Sequence, residues 1–589
     1  MVPRGRYDED PIAPLRFAES LASLKEDVAS TGGQVFIDLL IRLVLDNSHR
    51  ATVALVPEDQ LAAKVQAEED AELEEMSARL DADGRLRVLQ ETTDLRAAQA
   101  APDSAAAIAQ LPVLSTADLN RAIQAAAPTE VSELSLAGGR ARATLLTNEL
   151  PTDGLIYMQI ALPLERVDMA DVPYLPLLGA MVSSFGTRSQ DEMTFSRRID
   201  AQTGGLSAGP QTTAVPGRGW TVGDREALSG YWMVSGRATS ARAGELFGLA
   251  GEMLSEINLD NPSRVVEMLT QSISSAEASV VSSGNSYAST ELNGRLSLAG
   301  HVDELMGGLS AMKTAREALV QAQQDWPTML ARLERMRTAL LNANGAIVNL
   351  SADAPSMAAA LKHVPTLLEN LPNDDAPAPG WLRPTPSGIL VPTNEGLQVP
   401  TQVNYVVKSA CVYEPGEEVS GATSVITRYL GTSYLWDAVR VQGGAYGCSL
   451  GFSQLSGIAT YSSYRDPNVA STLSAYDRTG DFLRSNPLSK ADLDKAIIGA
   501  TGDLDAPQSV SGKGSTAMLR HMLGITQEDR QNWRDQVLGT TAADFVDFAD
   551  RLDRVIESGS VAVVASERAI SEANGVLPES RRLEARRIL

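Results

Sequence analysis

The stretch WDAVRVQGGAYGCSLGFSQLSGIATYSSYRDPNVASTLSAYDRTGDFL, Trp436 to Leu483, decides the fold of the second half of the chain. Its alternating residues predict two strands, Tyr446 to Gln454 and Gly457 to Tyr464, joined by a short turn. Tyr464-Arg465-Asp466-Pro467-Asn468 then ends the second strand and caps a helix from Asn468 to Arg484, which reads as a structural turn with a local Arg/Asp pair. On the residues alone, Tyr446 is a strand aromatic and Arg440 a charge on a surface helix.

Working outward, strands at Ile389 to Pro392 and Gln402 to Tyr413 and a helix from Ser420 to Leu430 precede this stretch. A helix from Ser489 to Leu504, further helices, the strand SVAVVASER and a final helix follow it. The same order of elements stands in residues 108 to 372. Strands near Ala141 to Thr147 and Leu155 to Leu164 lead to helices starting near Ala170 and Asp191, then to strands Leu206 to Thr213 and Gly230 to Arg237. Helices Ala241 to Glu256, Arg264 to Ser282 and Thr314 to Leu341, the strand GAIVNLSAD and one more helix complete it. Antiparallel strand pairs set apart from helix pairs indicate α+β, and the parallel endings indicate an internal duplication. Thr203-Gly204-Gly205 is a turn feeding a strand, and with no helix after it a phosphate cradle is excluded. The linker between the two units is NDDAPAPGWLRPTP, Asn373 to Pro386.

The first hundred residues read differently. Amphipathic helices over 16 to 46 lead into HRATVALVPE, whose alternation predicts one strand, His49 to Glu58, with no partner nearby. An orphan strand implies a sheet supplied from elsewhere, so residues 1–56 read as the tail of a preceding domain. Residues 57–107 give a helical hairpin broken at Asp83-Gly84, with Leu61, Val65, Leu73, Met76 and Leu80 on one stripe, and a linker from Ala98 to Ala107. The acidic run AEEDAELEE within it reads as a solvated face. The organisation is therefore 1–56, 57–107, 108–372 and 373–589.

A chain of 589 residues is too long for one core at about 150 residues per domain. A formal charge of −24 argues against binding nucleic acid or an anionic membrane surface and in favour of tolerating basic peptides. No apolar run approaches the ~18 residues that span a bilayer, so membrane insertion is not expected. MVPRGRYDEDP is acidic within ten residues, unlike a transit peptide. Two cysteines, Cys411 and Cys448, make no disulfide framework and fit a reducing compartment. The four histidines, His49, His301, His363 and His521, have no helical ligand spacing among them, so no metal site is expected in this chain.

The strings GGAYG, SYRDPN, TGDFL and AIIG, in that order, with PTQVNYV at Pro400 to Val406, resemble the fourth domain of the presequence-protease branch of the pitrilysin/insulinase zinc metallopeptidases. HRATVALVP is similar to the end of that family's second domain, the hairpin to its connector, and PTEVSELS through GLIYMQIALPL to the start of its third. The resemblance implies two metallopeptidase-like α+β domains after a helical connector, forming the substrate-enclosing half of an enzyme that degrades unstructured peptides such as cleaved targeting sequences. Zinc would be bound by an HxxEH motif in an N-terminal half, the implied partner, in the same polypeptide or a separate subunit. This chain has no HxxEH, so it is expected to be inactive alone. The mitochondrial matrix or plastid stroma is the implied compartment, with the cytoplasm open. The implied catalytic residues are Arg440 and Tyr446, with Gly443, Gly444 and Ala445 binding substrate. The residue after GGAYG is Cys448 where the family usually has glycine, which puts the loop geometry in question if that position needs a positive φ. A non-catalytic scaffold or binding subunit of the same fold is the alternative.

Overall fold

The computed structural model describes residues 10, 12–56, 58, 60–101, 103–111, 114–136, 141–372, 381 and 393–589. Two compact units divide the chain, residues 1–112 and 113–589. The first is helical among its described residues. Two helices, Leu61–Arg79 and Ala82–Ala100, stand where the hairpin was expected, with the break at Leu80-Asp81 rather than Asp83-Gly84; the Asp81 carboxylate caps the second at the Gly84 amide, and the stripe Leu61, Val65, Leu73, Met76 and Leu80 is exposed. Residues 49–56 form no strand, contrary to the alternating pattern, because no described segment offers them a ladder partner. Extended backbone without a partner has nothing to hold it flat.

The second unit contains two six-stranded sheets. The first is built from β1 (Thr129–Leu136), β2 (Ala141–Glu149), β3 (Leu155–Pro163), β4 (Leu206–Ala214), β5 (Leu228–Thr239) and β6 (Ile347–Ala352), in the order β1-β2-β6-β3-β5-β4. The second is built from β7 (Asn394–Gln398), β8 (Tyr405–Cys411), β9 (Gly447–Phe452), β10 (Ile458–Tyr464), β11 (Ser560–Ala565) and β12 (Glu584–Arg587), in the order β12-β7-β11-β8-β10-β9. Five strands of each sheet follow one plan: β2 runs parallel to β6 as β7 does to β11, and the remaining neighbours are antiparallel. The duplication read from the order of elements is thus a duplication of topology. The outermost strands differ, β1 antiparallel to β2 but β12 parallel to β7, since they enter from opposite ends of the chain. The expected strand at Ile389 to Pro392 and most of the expected linker lie outside the described residues; β7 starts at Asn394.

Each sheet buries one face against its own helices. β3 gives Ile156, Met158, Ile160 and Leu162 to the first core, and β8 gives Val406 and Ala410 to the second. The other faces are covered reciprocally. Helix α2 (Gly284–Leu296), which follows α1 (Glu192–Gln202) in the first lobe, lies on β8, β10 and β11 of the second sheet. Helix α5 (Val510–Leu523) of the second lobe lies on β6 of the first. Glycine makes both approaches possible: a Cβ on Gly284 would fall 2.5 Å from the Tyr405 ring, and one on Gly514 1.9 Å from Ser351 Oγ. Asn349 Nδ2 donates to the Gly514 carbonyl at 3.1 Å, so a buried carboxamide pins α5 to the sheet. The helix expected from Thr314 to Leu341 is two helices, Leu309–Gln324 and Trp326–Leu340. The Asp325 carboxylate caps the second of these, and Pro327 follows in its first turn.

Candidate functional site

β9 is the edge strand of the second sheet, and the chain enters it through a π-helical turn and two glycines. The π turn, α4 (Trp436–Val441), stands later in the chain than α3 (Leu298–Gly307) and replaces the surface α-helix expected at Arg440. Widening the turn lets Gly444 N donate to Arg440 O at 2.9 Å and Ala445 N to Val439 O at 3.1 Å, so the chain reverses tightly onto the strand. Gly444 sits at φ 80°, open only to glycine at low cost. A Cβ on Gly443 would meet Val439 O at 2.5 Å, and the Gly443 carbonyl accepts from Asn468 Nδ2 at 2.6 Å. Ala445 is buried beneath the turn.

This turn brings Arg440 and Tyr446 together. The guanidinium of Arg440 lies over the Trp436 ring at 4.1 Å and over the Tyr446 ring at 5.6 Å. Among the described residues no carboxylate pairs with it. Tyr446 is 67% exposed, its amide held by the Tyr464 carbonyl at 3.0 Å and its ring edge-on to the Tyr464 ring at 5.9 Å. A cation without a counter-ion and a phenol turned to solvent sit side by side, oriented by aromatic contacts rather than by salt bridges. Both can donate to an electron-rich oxygen.

The neighbours explain the order of the site. Cys448 lies in β9 without a positive φ, so its replacement of glycine does not distort the loop. Its thiol points at the Tyr476 hydroxyl, and burial pushes it up to about 12. It is therefore not a reactive thiolate. The strained residue is Arg465, at φ 47°. The expected Arg465/Asp466 pair does not form: Asp466 accepts from the Asn468 amide at 2.8 Å and the Thr472 hydroxyl at 2.7 Å, while Arg465 stacks on Tyr464. Burial raises the Asp466 pKa against those bonds. Trp436, which sequence reasoning passed over, and Tyr464 and Asn468, which it read as parts of a structural turn, adjoin the pair. The Trp436/Arg440 spacing of four was the available signal.

Among the described residues no three His, Cys, Asp or Glu side chains cluster to hold a metal ion. His49 is in an exposed loop, His301 in α3, His363 against Phe247 at 5.9 Å, and His521 in α5 with its pKa lowered by burial. Among the described residues no single helix is long and apolar enough to cross a membrane.

The two sheets with reciprocal helices match the fold of the peptidase M16 inactive domain from Pseudomonas fluorescens, with a TM-score of 0.54 at 15% identity over 74% of this chain and 98% of that one. A family model for the PreP C-terminal domain matches residues 394–567, starting at β7, and one for the region associated with subfamily C of the M16 peptidases matches residues 55–317. Presequence protease 1, chloroplastic/mitochondrial, of Arabidopsis thaliana is 35% identical over 96% of this chain and 51% of its own length. Protein HypA of Clostridium perfringens is 26% identical over 96% of this chain and 56% of its own. The chain belongs to the presequence-protease branch of the pitrilysin family and corresponds to its C-terminal half. It spans about half the length of these curated relatives.

Proposed function

We propose that this chain is the substrate-enclosing, non-zinc-binding half of a peptidase that degrades unstructured oligopeptides, such as cleaved targeting sequences, in an organelle matrix or stroma. The observation that carries the reading is the Arg440 guanidinium, held between Trp436 and Tyr446 with no carboxylate beside it among the described residues. This chain, at −24, has many carboxylates to offer, and none among the described residues takes this guanidinium. An arginine kept free beside an exposed phenol suits an oxygen that becomes negative only during reaction. When a nucleophile adds to a peptide carbonyl, charge develops on its oxygen, and two preorganised donors stabilise that charge more than they stabilise the ground state. Arg440 can already hold the neutral carbonyl, whereas the Tyr446 hydroxyl acts chiefly on the developing charge. Gly443 and Gly444 let the peptide approach the turn closely, while Ala445, buried beneath it, can act only by supporting the turn.

Zinc and the attacking nucleophile belong to a separate HxxEH-bearing half, in the same polypeptide or as a partner subunit. The test is complementation. The chain alone should cleave no peptide and hold no stoichiometric metal, and adding an HxxEH half of the same family should produce cleavage. In that complex Tyr446→Phe should lower kcat by about 10²-fold with complex formation unchanged. An active complex indifferent to Tyr446→Phe would overturn the assigned role. A stable complex in which neither wild type nor variant cleaves would favour a scaffold.

A further inference from the structure

A cavity of about 680 Å³ lies over the open face of β9 and β10, walled by α2 and the start of α3 and reaching the end of β4. Its lining is hydroxyl and carboxamide: Ser449 and Ser462 from the sheet, Ser286, Ser289 and Asn293 from α2, with Asp303 as its one ionisable side chain among the described residues. Ser449 and Ser462 are register partners on adjacent strands, so they stand side by side on its floor. Neither they nor Ser286 and Ser289 spend their hydroxyls on another described side chain or carbonyl. Asp303 closes the far end and accepts from Thr212 at 2.6 Å.

On β9 the lining begins at Ser449, three residues past Tyr446 of the candidate site. Tyr464, two residues beyond Ser462 on the same face of β10, donates to the Ser282 carbonyl at 3.2 Å and meets the Tyr446 ring. From Tyr446 to Ser453 a strand advances roughly 23 Å at about 3.3 Å per residue, room for roughly six or seven extended residues. Among the described residues no arginine or lysine lines the space, which argues against an anionic ligand, and its apolar contributions are confined to Phe452, Leu455, Ile458 and two alanines. A peptide main chain fits, since every residue brings one donor and one acceptor and Ser, Thr and Asn answer both.

We propose that this cleft is a substrate channel in which an extended peptide segment lies between Asp303 and the Arg440/Tyr446 pair, held through its main chain with little regard to side-chain sequence. The proposal rests on the peptide-handling reading and adds where the peptide runs. Recognition through backbone groups makes a non-specific peptide binder, and one carboxylate at the end biases it towards a basic residue or a free amino terminus.

The experiment is fluorescence anisotropy of the chain with a labelled unstructured 20-residue peptide of Gly, Ser, Ala and Lys, and with its lysine-free version. Ser289→Trp and Ser462→Trp, which fill the cleft, should each weaken binding at least tenfold with an unchanged melting temperature. Val576→Trp, on an exposed helix position, should leave it unchanged. Asp303→Asn should weaken the lysine peptide three- to tenfold and leave the lysine-free one alone. Wild-type affinity in both cleft-filling variants, or no binding by the wild-type chain, overturns the channel. The catalytic reading is judged separately, by the Tyr446→Phe rate in the complemented enzyme.

Discussion

Two glycine turns occupy the same place in the two lobes, each leading into the edge strand of its sheet, and they are used differently. Gly205 at φ 117° precedes β4, and Gly444 at φ 80° precedes β9. Four residues before these glycines stand Ala201 and Arg440; two after them stand Ser207 and Tyr446. In the first lobe an arginine also sits at the turn, but Arg237 uses its Nε to bond Gly204 O at 3.0 Å, while its carbonyl takes the Gly204 amide at 2.7 Å. In the second lobe a neutral side chain, Asn468, closes the turn, and the arginine is left over two rings. The backbone device is common to both copies, and the chemistry depends on which side chains flank it. Duplication supplied a tight entry to an edge strand, and the second copy flanks it with an exposed phenol and a guanidinium laid over two rings.

The comparison breaks most severely at the first glycine. Gly443→Ala puts a methyl against backbone oxygen at 2.5 Å, which cannot yield without moving Arg440 and Tyr446 together. In the complemented enzyme kcat should fall about 10³-fold, with ~2–4 kcal/mol lost from stability in denaturant melts. Gly204→Ala meets only the flexible Arg237 side chain at 2.8 Å and should cost about 1 kcal/mol with activity nearly intact. Equal effects from the two changes would mean that the turns are equivalent after all.

Arg440→Ala comes next, with an expected loss of about 10²-fold in kcat/KM shared between kcat and KM, because the guanidinium also holds the ground-state carbonyl. A third difference concerns the cores. Where β3 turns only apolar residues to its helices, β8 includes Lys408, buried at 4% exposure and paired with Asp477, which Arg581 also contacts. Burial lowers the Lys408 pKa in spite of Asp477. Its folded value lies below 10.5, so the unfolded chain binds the extra proton in that interval. Stability should therefore rise with pH through the window just below 10.5. Lys408→Met should remove that rise in melts taken through the window just below pH 10.5 and change neutral-pH stability by less than about 1.5 kcal/mol, since Asp477 keeps Arg581. The smallest effect expected is that of Ser207→Tyr, a phenol at the matching place in the first lobe: within about twofold of wild-type kcat, since no free guanidinium stands beside it.

The duplication was legible because β2 to β6 and β7 to β11 repeat strong alternation and helix periods in one order, whereas the candidate pair was legible only through the family resemblance, its residues alone reading as a strand aromatic and a surface charge. The cleft was not legible. Its walls come from β4, α2 and β9–β10, with Thr212 and Ser462 far apart in sequence, and Ser289 or Ser462 looks like any surface serine until the fold assembles them. Helix α2 itself, GNSYASTELNGRL, shows little amphipathic pattern, since Ala288 and Leu292 serve a sheet formed much later in the chain. The strand read at His49 to Glu58 failed for the opposite reason. Its alternation is local and clear, but a ladder needs a second strand. At Arg440 the pattern predicted a helix, and only the two glycines hinted that its last turn would widen.

The most direct test of the central claim, that Arg440 and Tyr446 act on one oxygen, is a double-mutant cycle on single-turnover cleavage by the complemented enzyme. Tyr446→Phe and Arg440→Ala should each slow the chemical step by about 10²-fold, and the double variant should fall well short of the product of the two, because one donor's loss displaces the oxygen from the other. Fully multiplicative losses, or a Tyr446→Phe enzyme that cleaves at the wild-type rate, would contradict it.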